Sequence, residues 1–133
     1  MIGILVIAHK PVASSFGMAV RHVLGSTPPY LSWLDVDSDD DPGTVLQRAR
    51  SLVGHVDTGA GVLVFSDICG ATPCNVATEL IEHGKVAVLS GLNLPMLLRA
   101  INYRDASLEE SAQKALAGGT GGVMRMERGN AAK

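Results

Sequence analysis

Blocks of apolar residues recur along the chain and are separated by segments with helical spacing. Four runs are rich in branched apolar residues, and we interpret them as strands over 2–8, 30–36, 61–66 and 85–90. Continuous apolar runs are typical of strands that are covered on both faces, as in a parallel sheet. The alternation of strands with helices predicts an α/β domain, in which a mostly parallel sheet of four strands is joined by right-handed crossovers.

Capping side chains and prolines predict where the helices begin, and glycines predict several of their ends. We expect the five helices to begin at Ser14 or Ser15, at Asp41, at Thr72, at Asn93 or Leu94, and at Ser107, which forms a capping box with Glu110. We expect the first helix to end before Gly25, the third at His83-Gly84, the fourth after Ile101 and the last at Gly118-Gly119.

The last part of the chain predicts a fifth strand that lies apart from the parallel set. Residues 122–127 follow the glycines that are expected to end the last helix. We expect this strand at an edge of the sheet, antiparallel to its neighbour. The whole then forms one domain over residues 1–128, with a disordered tail over 129–133.

The composition narrows the class of protein. The chain has 133 residues, which suits one domain, and 47% of them are hydrophobic. A net charge of −2 and an aromatic content of 4% argue against a nucleic-acid surface, which needs a basic stripe or stacking rings. The N-terminal apolar run is too short to span a bilayer and lacks a basic leader, so we expect a cytoplasmic protein without membrane insertion.

Polar residues at the predicted strand ends are the candidates for chemistry, because ligands bind beyond the carboxyl ends of parallel strands. His9 follows the first strand, and Asp67 follows the third. A neutral imidazole whose N–H is held by a carboxylate keeps a lone pair on its other nitrogen, which can attack phosphorus. His9 and Asp67 are therefore the candidate catalytic residues. The alternative for His9 is a loop histidine with a structural hydrogen bond.

Neighbouring segments offer groups that can bind an anionic phosphoryl group. Three residues with backbone N–H groups precede or begin a predicted helix, whose N-terminus favours anions: Gly70, Ala71 and Thr72. Three further residues are candidates for the pocket wall: Lys10, Gly91 and Asn93. Each segment also has an ordinary interpretation, namely a strand-to-helix turn, an exposed lysine, and a loop with a helix cap.

Two other patterns resemble metal sites, but neither has the required spacing. Cys69 and Cys74 lack a second matched pair of ligands, so the favoured interpretation is a structural thiol. The aspartates at positions 35, 37, 39, 40 and 41 do not match a calcium-binding loop, so a solvated loop is favoured. We therefore expect no metal site.

Taken together, these motifs resemble the IIA component of the mannose-type (mannose, fructose and sorbose) phosphoenolpyruvate-dependent sugar phosphotransferase system. The resemblance covers about residues 1–126 and is carried by three segments, IGILVIAHK, SDICGATPCN and SGLNLPML. Members of this family often carry Thr and Gly at two positions where this chain has Ile68 and Ala71.

The resemblance implies a fold, a reaction and partners. The fold is a doubly wound sheet whose terminal strand is exchanged, antiparallel, between the two subunits of a homodimer. His9 corresponds to the phosphorylated histidine, which is expected to react through Nε2 while Nδ1 faces Asp67. The donor is expected to be the phosphorylated HPr protein (phospho-HPr), the acceptor is expected to be a IIB component, and no metal or organic cofactor is implied.

Two other classes of function stay open. One is a regulatory module whose affinity for a partner is switched by phosphorylation of His9, without sugar transport. The other is a receiver-like or nucleotide-binding domain. The sequence supports the latter poorly, because neither an acidic pair nor a G-x-G-x-x-G motif follows the first strand.

Overall fold

The computed structural model describes residues 1–129, which form four strands and five helices joined by loops. In chain order they are β1 (Gly3–His9), α1 (Val12–Leu24), β2 (Leu31–Val36), α2 (Pro42–Val56), β3 (Val62–Ser66), α3 (Thr72–Glu79), β4 (Val86–Leu89), α4 (Leu94–Asn102) and α5 (Leu108–Gly121). This order confirms the predicted α/β class. None of these helices is long and apolar enough to cross a membrane.

The four strands are parallel and lie in the order β2-β1-β3-β4. Helices α1, α4 and α5 pack on one face of the sheet, and α2 and α3 pack on the other. Alternate residues of β1 enter the two cores: Ile4 and Val6 enter the first, and Leu5 and Ile7 enter the second. The sheet is therefore doubly wound, as the family resemblance implies.

Strands β1 and β3 are neighbours, and the chain leaves them on opposite faces of the sheet. Helix α1 follows β1 on one face, whereas α3 follows β3 on the other. Ile7 of β1 pairs with Ser66 of β3, so the residues that directly follow these positions meet at the carboxyl edge. Such a switch point is where open α/β sheets bind ligands.

Three helix starts confirm the predicted caps. In each, the side chain of the N-cap residue accepts a backbone N–H from the residue three positions on: Asp41, Asn93 and Ser107. Proline follows the cap within the first turn of α2 and α4. Backbone N–H groups in the first turn have no acceptor within the helix, so the N–H that proline lacks is not missed there. Because these hydrogen bonds are local, sequence spacing is enough to find them.

Helix α1 begins earlier than predicted. Its N-cap is Pro11 rather than Ser14 or Ser15. The Ser14 hydroxyl donates to the Pro11 carbonyl oxygen at 3.1 Å, and the Ser14 backbone N–H donates to Oδ1 of Asp35 at 3.0 Å. A carboxylate from the neighbouring strand β2 therefore caps this helix, and local spacing cannot reveal such a partner.

Helix α3 also differs from the prediction at both ends. Ala71 rather than Thr72 is its N-cap, and the helix ends at Glu79 rather than at His83-Gly84. Beyond it, Glu82 and Val86 form an antiparallel bridge. This tight turn leads directly into β4 and replaces the last turn of helix that the pattern predicts.

Helix α5 continues past its predicted end, because two of its glycines form a packing surface. The helix extends to Gly121. A Cβ atom at Gly118 would lie 2.8 Å from Cβ of Arg99, and a Cβ atom at Gly119 would lie 2.6 Å from Cε of Met96. These distances are shorter than side-chain contacts allow, so glycine is required for α5 to approach α4 this closely.

The predicted fifth strand is not formed within residues 1–129 of a single chain. Residues 122–127 follow α5 without joining the sheet, and the side chains of Val123, Met124 and Met126 are exposed. A strand needs a partner for its backbone N–H and C=O groups, and no strand within the described residues supplies one here. Of the predicted tail at 129–133, only Gly129 lies among the described residues.

Arg104 is a buried charged residue near the amino ends of the strands. It is 5% exposed, and its guanidinium donates to the carbonyl oxygens of Ile2 at 3.2 Å and Tyr30 at 3.1 Å. Burial lowers the pKa of this guanidinium, and Asp105 opposes that effect. Arg104 thereby joins the segment between α4 and α5 to the residues that precede β1 and β2.

Candidate functional site

His9 and Asp67 lie side by side at the carboxyl edge of the sheet. His9 is the last residue of β1, and Asp67 directly follows β3. The Nδ1 atom of His9 is 2.8 Å from Oδ2 of Asp67, and the backbone N–H of His9 donates to the same oxygen at 3.1 Å. The structure therefore brings together the two residues that the sequence predicts as a catalytic pair.

The contact between these side chains determines which ring nitrogen is free. A carboxylate only accepts hydrogen bonds, so a neutral His9 ring carries its proton on Nδ1 and its lone pair on Nε2. The His9 side chain is 48% exposed, compared with 17% for Asp67. The ring is thus oriented by a largely buried group and is itself open to a reactant.

Asp67 is held in its charged form. Burial acts to raise the pKa of its carboxyl group, but hydrogen bonds from the His9 ring, the His9 backbone N–H and the Ile68 backbone N–H outweigh this effect and lower the pKa. The Ile68 N–H donates to Oδ1 at 3.0 Å. A carboxylate that stays ionised stabilises the positive charge that a histidine ring gains during nucleophilic attack.

A cleft of about 390 Å³ opens beside His9. The segment that leads into α3 lines it and includes the predicted phosphate-binding residues: Gly70, Ala71 and Thr72. Gly70 has a φ of +88°, a left-handed conformation that favours glycine. No side chain caps the N-terminus of α3, so its first N–H groups are donors for an anion. Pro73 and Asn75, which the sequence analysis did not single out, also line the cleft.

The loop between β2 and α2 adds an acidic wall to the cleft. Asp37, Ser38 and Asp40 line it, and the Asp37 N–H donates to Oδ2 of Asp40 at 2.9 Å. Nζ of Lys10 lies 3.9 Å from Oδ2 of Asp37. Lys10 and His9 both line an adjoining cleft. The sequence analysis interpreted this loop as solvated and did not place it beside His9. The signal that could have found it is that β2 also ends at the carboxyl edge, where its last residue pairs with His9.

Gly91 and Asn93, the other residues predicted to form the pocket wall, lie where β4 leads into α4. Oδ1 of Asn93 accepts the Met96 N–H at 2.9 Å, and its Nδ2 donates to the Gly119 carbonyl oxygen at 3.0 Å. Gly91 has a φ of +78° in the turn between β4 and α4. Neither Gly91 nor Asn93 lines either of the two clefts that contain His9. The side chain of Asn93 thus joins the start of α4 to α5.

The cysteines and the run of aspartates are the other groups that the sequence analysis considered as metal ligands. Both thiols are free, with Cys69 exposed and Cys74 buried. Three aspartates accept backbone N–H groups: Asp35, Asp40 and Asp41. Among residues 1–129, no group of three or more His, Cys, Asp or Glu side chains is placed to hold a metal ion.

Comparisons with known sequences identify the family. The family profile described as "PTS system fructose IIA component" matches residues 3–116. The PTS system sorbose-specific EIIA component of Lacticaseibacillus casei is 30% identical over 112 residues, which cover 80% of this chain and 78% of that protein. The PTS system mannose-specific EIIAB component of Escherichia coli (strain K12) is 27% identical over 131 residues, which cover 95% of this chain. The chain spans 40% of the length of that second relative.

A comparison with solved structures agrees with the sequence match. The phosphotransferase system component EIIA from Streptococcus agalactiae superposes with a TM-score of 0.84 at 25% identity, covering 94% of this chain and 97% of that chain. The profile match and the sorbose-specific relative each span most of the chain. The protein therefore belongs to the family of PTS system fructose IIA components, the mannose-type IIA proteins that its motifs resemble.

Proposed function

We propose that this protein is a cytoplasmic phosphocarrier that accepts a phosphoryl group from phospho-HPr on His9 and passes it to a IIB component for sugar uptake. The observation that carries the proposal is the 2.8 Å contact between Nδ1 of His9 and Oδ2 of Asp67, which leaves the lone pair on Nε2. Membership of a phosphotransferase system family supports the same reaction class.

The proposed reaction exchanges one nitrogen–phosphorus bond for another. The lone pair on Nε2 of His9 attacks the phosphorus atom in line with the bond between phosphorus and the donor nitrogen. As that bond breaks, its electron pair remains on the donor nitrogen. Asp67 stabilises the positive charge that the His9 ring gains. The uncapped N–H groups at the start of α3, together with the Lys10 ammonium group, are the donors for the phosphoryl oxygens.

Replacement of the histidine tests the proposal. We expect intact-protein mass spectrometry to show a gain of one phosphoryl group when the wild-type protein is incubated with phospho-HPr, and no gain for His9→Ala. His22→Ala removes an exposed histidine from α1 and serves as the matched control, which should be phosphorylated like the wild type. A wild-type protein that stays unmodified contradicts the proposal.

Onward transfer separates the carrier from a regulatory module. We expect the phosphoprotein to lose its phosphoryl group when a mannose-type IIB component is added, because the IIB protein accepts it. A phosphoprotein that keeps the group in the presence of IIB, while its affinity for another partner changes, favours the regulatory alternative.

We further propose that residues 1–128 act as one domain in a homodimer in which two copies exchange residues 122–127 as an antiparallel strand. Two observations support this arrangement. Val123, Met124 and Met126 expose apolar side chains in this segment. β4 lies at an edge of the sheet, and apart from the bridge between Glu82 and Val86 no strand within residues 1–129 pairs with its outer side.

A further inference from the structure

The loop between β2 and α2 places two carboxylates in the cleft that His9 lines. Asp37 directly follows β2, whose last residue pairs with His9, and Asp37 and Asp40 both line the cleft. Two hydrogen bonds join these residues: the Asp37 N–H donates to Oδ2 of Asp40 at 2.9 Å, and the Asp40 N–H donates to the Asp37 carbonyl oxygen at 3.1 Å. The loop therefore holds its negative charge in a defined position beside the histidine.

Positive charge around this cleft is sparse. Among the described residues that line the two clefts around His9, Lys10 is the one Lys or Arg side chain, and its Nζ lies 3.9 Å from Oδ2 of Asp37. Within residues 1–129, no Lys or Arg side chain forms an ion pair with Asp40. The backbone N–H groups at the start of α3 supply the other positive end of the cleft. A phosphoryl group on His9 would thus be attracted by α3 and repelled by the loop.

Building on the proposed function, we propose that Asp37 and Asp40 raise the phosphoryl-transfer potential of phosphorylated His9, so that the protein passes the group on rather than storing it. The unmodified ring is neutral, whereas a phosphoryl group on Nε2 brings close to two negative charges into the cleft. Like charges at short range repel each other, and the repulsion is stronger where little water lies between them. The two carboxylates therefore destabilise the phosphoprotein more than the free protein.

A transfer equilibrium separates this effect from any effect on the encounter between two proteins. The equilibrium constant for exchange of the phosphoryl group between HPr and this protein compares only the free energies of the separate proteins, with and without the group. Contacts that are made only in the complex change the forward and reverse rates by the same factor and leave the constant unchanged. The constant therefore reports on the charges around the bound phosphoryl group.

Replacement of each aspartate by asparagine removes the charge and preserves the shape of the loop. Asp40→Asn keeps a side-chain oxygen that can accept the Asp37 N–H. We expect this variant to shift the constant toward the phosphoprotein by about threefold to tenfold. Asp37→Asn should shift it in the same direction, because it also releases the Lys10 ammonium group for the phosphoryl oxygens.

Intact-protein mass spectrometry would measure the constant as the ratio of phosphorylated to unphosphorylated forms of both proteins. Mixtures started from phospho-HPr and from the phosphoprotein should reach the same ratio. A pH of 8 keeps the measurement above the range in which histidine usually titrates. In 1 M salt, where the Debye length falls to about 3 Å, the shift caused by Asp40→Asn should shrink, a response that a merely structural role of Asp40 would not produce.

Asp39→Asn is the matched control in the same loop. Asp39 is exposed and lines neither of the clefts that contain His9. Loss of its charge should therefore leave the constant unchanged. An equally large shift for Asp39→Asn would overturn the proposal, because the effect would then belong to the net charge of the protein rather than to the cleft.

The remaining outcomes separate this inference from the proposed function. Phosphorylated wild-type protein whose constant equals those of Asp37→Asn and Asp40→Asn overturns the inference and leaves the proposed function standing. Altered rates with an unchanged constant also overturn it and assign the aspartates to the encounter with HPr, and a shift that persists in full in 1 M salt excludes the electrostatic cause. Wild-type protein that takes no phosphoryl group from phospho-HPr overturns the proposed function, and this inference with it.

Discussion

At the scale of single residues, one carboxylate oxygen both orients the His9 ring and fixes its backbone. Oδ2 of Asp67 accepts from the ring nitrogen at 2.8 Å and from the His9 backbone N–H at 3.1 Å. The ring therefore cannot turn away without losing one of two bonds to the same atom. Asp67 is also kept ionised by these donors, so the charge that supports the ring is present before a reactant arrives.

Replacement of Asp67 should slow phosphorylation while the domain stays folded. We expect Asp67→Ala and Asp67→Asn to lower the rate of phosphohistidine formation by roughly 100-fold or more, because the ring loses both its fixed tautomer and a counter-charge. Rapid-quench measurements with phospho-HPr would give the rates. Circular dichroism and the melting temperature check folding. A variant that reacts as fast as the wild type removes Asp67 from the mechanism.

At the scale of secondary-structure elements, features fixed by neighbours in sequence are predictable, whereas those fixed by distant contacts are not. The four strands and the caps at Asp41, Asn93 and Ser107 follow from local patterns. The start of α1 does not, because its capping oxygen belongs to Asp35, 21 positions away from Ser14. The early end of α3 depends on a bridge to the next strand.

The site shows the same division between local and distant causes. His9 and Asp67 stand next to apolar runs, so the switch-point rule places them together. The acidic wall at Asp37 and Asp40 escaped prediction because it needs the strand order, in which β2 lies beside β1. The glycines of α5 match a helix stop in sequence, but their packing against α4 is visible only in three dimensions.

The contact between α4 and α5 yields a prediction about stability. At Gly118 an added Cβ atom would lie 2.8 Å from Cβ of Arg99 and 3.4 Å from the Pro95 carbonyl oxygen. We expect Gly118→Ala to lower the free energy of unfolding by about 1–3 kcal/mol, because the helices must move apart. Urea denaturation monitored by circular dichroism measures this change.

Gly121→Ala is the matched control on the same helix. An added Cβ atom at Gly121 has no neighbour within 4 Å, and alanine favours helix over glycine. The stability of this variant should equal or exceed that of the wild type. Equal stability of the Gly118 and Gly121 variants would show that the close approach of α4 and α5 does not require glycine.

At the scale of the whole molecule, the sheet ends in an edge strand, and an exposed apolar segment follows α5. β4 forms the edge on the side of β3, and Val123, Met124 and Met126 are more than half exposed. Unpartnered edges and exposed apolar side chains are both unfavourable in isolated proteins. A second copy of the chain could pair with the edge strand and cover the exposed apolar side chains.

The proposed exchange of strands predicts the oligomeric state. We expect the full chain to elute as a dimer in size-exclusion chromatography coupled to light scattering, and a variant that lacks residues 123–133 to elute as a monomer. Removal of residues 129–133 alone should leave the dimer intact. A full chain that is monomeric at micromolar concentration contradicts the exchange.

The position of Arg104 has a consequence for the order in which the protein can be assembled. Its guanidinium reaches the Ile2 carbonyl oxygen across 102 positions of the sequence. β1 lies between β2 and β3, so the residue that precedes this central strand is held by a side chain that follows it much later in the sequence. During synthesis, the Ile2 carbonyl oxygen therefore gains this partner only once Arg104 has been made, and contacts of such long separation slow folding.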